Sequence, residues 1–189
     1  QVLEKALENN LAVTLAFSYI RNHLLEEIDE LLQELEVWCQ SREKEAGKDQ
    51  EEIIVNDWAM PILLQGKPHL KPVLGVLLNK RRKDVRLPYK QGIGNHVDSL
   101  AENNLNCGFY QDYLKNTFDI QRFEFESCGY KVTIPDGHHS LHLTFFQTNT
   151  SQYCTLYAVC RYGDRGKQKL TENCPKIGRA SCRERREIA

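Results

Sequence analysis

Hydrophobic residues recur along this chain in two rhythms, one with a helical period and one that alternates residue by residue. From Asn22 to Lys48, Leu24, Ile28, Leu31, Leu35 and Trp38 return at steps of four and three. Glu26, Glu27, Asp29, Glu30, Glu34 and Glu36 fill the positions between them. That spacing predicts a long amphipathic helix with a single apolar seam. Asn22 is placed to cap its first turn, Glu26 and Glu27 suit the positive end of its dipole, and Gly47 offers a stop. Paired with a second helix, the seam would make a short coiled coil of about two heptads.

Upstream, residues 2–8 read as the end of a helix halted by Asn9 and Asn10. Within 11–20, Leu11, Val13, Leu15, Phe17 and Tyr19 alternate with smaller residues, which predicts a strand. After the helix and a polar linker come the apolar runs IIV, MPILL, PVLGVLL and DVRLPY, punctuated by Pro61, Pro68, Pro72 and Pro88. They predict short strands, with Lys80 to Lys83 turning a hairpin. Residues 96–106 place Val97, Leu100, Ala101 and Leu105 on one helical face, and a further turn or two follows Gly108. Alternation then resumes at Phe123 and Phe125, at Tyr130, Val132 and Ile134, and at Leu141, Leu143 and Phe145, with a last run from Tyr153 to Tyr162. The turns PDGHHS and TNTS between these runs predict an antiparallel meander over 120–162.

The expected fold class is therefore α+β. A long amphipathic helix precedes a mainly antiparallel, sandwich-like β domain with one or two short helices, residues 53–88 and 120–162 each supplying a sheet. In domain terms, 1–48 form a helical arm, 49–57 a linker and first strand, and 58–175 the β-rich domain. Residues 177–189 stand apart. Ile177 to Arg185 reads IGRASCRER, which closely resembles the conceptual translation of a common sequencing-library adapter, so this tail is read as non-native. The chain opens at Gln1 within an apolar pattern and is read as a piece of something longer.

Charge adds an asymmetry that the net value of −1 conceals. Residues 1–52 carry 5 basic and 13 acidic side chains, whereas 53–175 carry 15 and 11. An acidic arm and a mildly basic body attract each other, within a chain or between chains. No apolar run reaches the ~18 to 20 residues of a membrane span, so no membrane association is expected.

Three candidate chemistries remain. His138, His139 and His142 cluster beside Asp136, but a metal needs ligands converging at about 2 Å and no C-x-x-C pair accompanies them. They are read as turn histidines, and no catalytic residue, metal or cofactor is assigned. Cys39, Cys107, Cys128, Cys154, Cys160 and Cys174 read as free thiols of a reducing compartment, hence an intracellular protein. Lys80, Arg81, Arg82, Lys83 and Arg86 form the strongest basic cluster, matching a loose nuclear-import pattern and able to contact phosphates.

The function expected from these features is a non-catalytic scaffold or assembly subunit of an intracellular complex, nuclear or cytoplasmic. It would dock on a protein partner, or on a second copy, through Leu24, Ile28, Leu31, Leu35 and Trp38. One alternative is a nucleic-acid-binding protein that uses residues 80–86. Another is a metal-dependent enzyme centred on His138, His139 and His142.

Overall fold

Ile53, Ile54 and Val55 follow one another in sequence and all three are buried, as are Val73 and Leu74. A strand with both faces covered reads as a continuous apolar run, and that is the mark of parallel pairing. The computed structural model describes residues 2–9, 11–46, 50–82, 98–128, 131–143, 154–167 and 169. They fall into two compact units, 1–148 and 149–189.

The first unit runs α1 (Val2–Glu8), β1 (Thr14–Ala16), α2 (Leu25–Ala46), β2 (Glu51–Val55), α3 (Ala59–Leu63), β3 (Leu70–Leu74), α4 (Gly108–Phe118), β4 (Arg122–Glu126) and β5 (Ser140–His142). The strands form one sheet in the order β1-β2-β3-β4-β5, and every pairing is parallel. Parallel neighbours need long crossovers, which α2, α3 and α4 supply between successive strands. Because each new strand joins on the same side and crossovers share one hand, the helices must gather on one face. Leu32 and Cys39 of α2, Met60 of α3 and Leu114 of α4 do so, packing with Ile53, Val55, Leu74, Phe123 and Phe125 into one core. The result is a curled, Rossmann-like α/β half-barrel.

This overturns the expected α+β antiparallel sandwich. Residues 53–88 and 120–162 do not supply separate sheets, since β3 and β4 pair directly, Val73 with Arg122 and Leu74 with Phe123. The MPILL run is helical, closing α3. Val132 and Ile134 lie outside any strand. Their segment docks on the loop before α4 instead, where Thr133 donates to the Ala101 carbonyl at 2.8 Å and accepts from Asn103 and Asn106. The PDGHHS turn therefore leads into β5, a parallel partner of β4, rather than closing a hairpin. Residues 98–100 and 104–106 form 3-10 turns in place of the expected helix, yet Leu100, Ala101 and Leu105 are buried as their spacing implied. DVRLPY, the run Phe145 to Tyr153 and the adapter-like tail lie outside the described residues.

In the second unit, residues 155–162 are not the last strand of a meander but helix α5 (Thr155–Tyr162). Cys154 caps it through sulfur, accepting from the Tyr157 N–H at 3.4 Å, and Gly163 ends it in the left-handed region at φ 66°. Leu156 and Cys160, four apart, satisfy a helical spacing as well as an alternating one, and the glycine stop decides between them.

Two details mark the carboxyl ends of the strands. Asn56, just past β2, donates from Nδ2 to the Phe17 carbonyl at 3.1 Å and accepts the Leu77 N–H on Oδ1 at 3.4 Å. Gly75 lies against it so closely that an added Cβ would sit 2.1 Å from Asn56 Oδ1. The second detail is that β3 parts from β4 after Leu74 while β4 continues to Glu126. Side chains complete the ladder there. Asn79 Nδ2 donates to the Glu124 carbonyl at 3.1 Å, and Arg81 donates to the Glu126 carbonyl at 3.0 Å.

Candidate functional site

The expected docking helix exists, with its first turn a 3-10 turn over Asn22–Leu24 in which Arg21, not Asn22, holds the capping position. Its buried face is turned from the predicted seam. Leu32 and Cys39 are buried, whereas Leu31 is 43% exposed. Leu24 is half-buried, and Ile28, Leu35 and Trp38 are half-buried against the core. The doublets Leu24-Leu25 and Leu31-Leu32 fit either phase of a helical wheel, and the sheet selects the second of each pair. The coiled coil is thus replaced by a helix packed on its own sheet. Glu36 belongs to this buried side, accepting the His69 backbone N–H at 3.1 Å and lying 2.6 Å from its Nδ1.

The basic cluster is partly absorbed by the fold. Lys80 donates from Nζ to the Leu77 carbonyl at 2.9 Å, and Arg81 is half-buried with its guanidinium on the Glu126 and Lys131 carbonyls. Arg82 is exposed, and Lys83 and Arg86 lie outside the described residues. No hairpin joins strands at Lys80 to Arg82.

The three histidines take three different positions. His138 is exposed in the turn. The His139 ring stacks on Phe123 at 4.9 Å and meets the edge of Phe125 at 5.7 Å. Its Nδ1 accepts the Phe123 N–H at 3.2 Å, so the ring proton resides on Nε2, which faces the Asp136 carbonyl at 3.4 Å. Burial pushes the His139 pKa below its ordinary value, and the charges of Arg122 and His138 push the same way against backbone bonds to Asp136 and Pro135. His142 instead points to the other face, with Nε2 3.1 Å from Glu124 Oε1. Among the described residues no group of three or more His, Cys, Asp or Glu side chains is placed to hold a metal ion.

On that other face, away from the helices, a polar row crosses the sheet. Thr14 donates to Glu52 Oε2 at 3.1 Å. Arg122 donates to the same Oε2 and, through its second nitrogen, to Ser140 Oγ at 2.7 Å. Nearer the carboxyl ends stand Glu124 and Glu126 of β4, with Glu126 in register with His142 of β5. Sequence reasoning missed this row because it left Glu52 in a polar linker and placed Arg122 in a separate sheet. Alternation of RFEFE was the available signal.

The helix side carries an exposed aromatic ridge. Trp58 lies 6.1 Å from Phe118, Phe118 meets Tyr113 edge-on at 5.8 Å, and Tyr113 stacks near Tyr110 at 6.5 Å. Trp58, Ile62 and Tyr113 are exposed, and Phe109 is 81% exposed one helical turn before Tyr113. Contiguous apolar surface of this kind marks contact sites more often than isolated exposed residues do. Close by, a cavity of about 360 Å³ opens beside the last turns of α3 and α4, lined in part by Lys67, Lys71 and Lys115. Lys67 is committed to structure, donating to Asp29 Oδ1 and to the Leu63 carbonyl at the end of α3.

No family model, curated protein or solved structure matches this chain. No helix among the described residues is long and apolar enough to cross a membrane.

Proposed function

We propose that the protein is a non-catalytic assembly subunit that pairs with a second copy of itself through the aromatic ridge of α3 and α4. The observation that carries this reading is the exposed set Phe109, Tyr113, Trp58 and Ile62, of which Trp58 and Tyr113 make ring contacts with Phe118 and Tyr110. Aromatic side chains dominate interface energies because they bury large area at low entropic cost. A two-fold contact must be self-complementary. In an antiparallel α4–α4 pairing centred between Tyr113 and Leu114, Asp112 of each copy faces Lys115 of the other, and both residues are exposed. Helix α2 contributes less to docking than its sequence implied, since its apolar face is already covered.

Sedimentation velocity tests the proposal. The wild type is expected to associate in the range of about 1 to 100 μM, and Tyr113→Asp or Phe109→Asp to sediment as a monomer with unchanged circular dichroism. A wild-type monomer throughout that range overturns it.

A further inference from the structure

We propose that the cavity at the amino end of β3 binds a small carboxylate with a flat apolar body. The sheet itself opens this space. β3 begins at Leu70, but its pairing with β4 begins only at Val73, and Pro72 has no N–H with which to extend the ladder. The ends of α3 and α4 border the gap. The cavity of about 360 Å³ lies at the lower end of the range for small-ligand sites, so it suits a ring-sized molecule.

The walls are held in place by the chain's own bonds. Gln50 Nε2 donates to the Pro68 carbonyl at 3.0 Å, and the turn after α3 is tied by the Lys67 N–H on the Leu64 carbonyl at 3.1 Å. Phe118, half-buried, is set by its ring contacts to Trp58 and Tyr113. Pro61, Leu64, Leu70 and Pro72 line the cavity and are buried. Proline and phenylalanine rings offer flat apolar faces, and a flat body laid on them removes apolar surface from water.

Charge selects the head group. The charged side chains lining the cavity are Lys67, Lys71, Lys115 and Asp119. Lys67 is answered by Asp29 at 2.7 Å. Lys71 and Lys115 make no ion pair among the described residues, so after Asp119 is counted one positive charge is in excess. Helix ends of this polarity oppose an anion. Here, however, the Leu63 and Leu64 carbonyls are occupied by Lys67, and those of Leu114 and Lys115 by the N–H groups of Ile120 and Asp119. Lys115 sits in the last turn of α4 and answers that dipole, whereas Lys71 lies on a strand and has no such duty. Phosphate sites draw on arginine forks and helix N-termini, and neither lines this cavity. A single carboxylate matches the one excess charge.

2-Naphthoate serves as the probe, with 2-naphthamide as its neutral counterpart. Titrated at constant ionic strength, 2-naphthoate is expected to shift the Leu64 and Leu70 methyl and Phe118 ring resonances saturably, with a Kd below about 1 mM. The amide should bind about fivefold or more weakly, since it lacks the charge that the lysines meet. Lys71→Gln and Lys115→Gln should each lower affinity about threefold, and together about tenfold, as exposed ion pairs do. Lys115 also faces Asp112 in the proposed dimer, so Lys71→Gln reports binding alone. The proposal is overturned by no saturable shift up to ~10 mM, by equal affinity for the amide, or by unchanged affinity in the double variant. Saturable shifts confined to Phe109 and Tyr113 also overturn it, since they place the compound on the ridge. A wild type that stays monomeric leaves the expected binding unchanged, so the two proposals fail separately.

Discussion

On one side of the sheet Ile53, Val55, Leu74, Phe123 and Phe125 meet hydrocarbon from three helices. On the other, Glu52, Arg122, Ser140, Glu124 and His142 meet each other. The two sides obey different rules. Apolar contacts are non-directional, so the helix side needs volume and shape and tolerates any partner that fills space. The polar side needs each donor aimed at an acceptor, and a mismatch there costs more than a mere gap. Stability should therefore reside mainly on the helix side.

The sharpest way to break this contrast is to empty the helix side. Phe125→Ala should cost about 3 to 5 kcal/mol, read from denaturant titration, because the ring is fully buried among α-helical and strand neighbours. If the loss is below about 1 kcal/mol, the core does not lie where the sheet places it. A smaller effect comes from His139, whose ring stacks on Phe123 near the start of β4. Its folded pKa lies below the ordinary 6.5, so between those values the unfolded chain binds more protons. Stability should be complete above pH 6.5 and decline as pH falls through that value toward the folded pKa. His139→Phe, which keeps the stack on Phe123, should flatten that slope in pH-dependent melts. An unchanged slope would assign it to other groups. Least of all should change with Leu31→Asp, worth under about 0.5 kcal/mol, because Leu31 faces solvent. Leu32→Ala on the adjacent position should cost about 2 to 5 kcal/mol. Reversal of that order would restore the seam phase read from the sequence.

Much of the local pattern was legible. The stop of α1 after Glu8, the helical character of residues 25–46, the buried set Leu100, Ala101 and Leu105, and strands at 53–55 and 123–125 all follow from period and propensity. What could not be read was pairing. PDGHHS has the chemistry of a hairpin turn, and nothing local reports that Thr133 is held by Asn103 and Asn106 instead. The stronger signal lay in IIV and VL, where the absence of alternation already spoke against a strand with one wet face. The polar row was hidden for the same reason, since Glu52, Arg122 and Ser140 converge only when β2, β4 and β5 belong to one sheet. The phase of α2 was undecidable from leucine doublets alone.

The amide of Asn56 has a consequence for how the molecule opens. It grips the backbone that follows β1 with one end and the backbone that follows β3 with the other, while itself following β2. Gly75 leaves no slack around it, since even a methyl group would collide with the amide oxygen. Three segments far apart in sequence are thus latched at a single side chain. Their amide protons should exchange with solvent as one cooperative unit rather than loop by loop, and a fluctuation that frees Phe17 must also release Leu77.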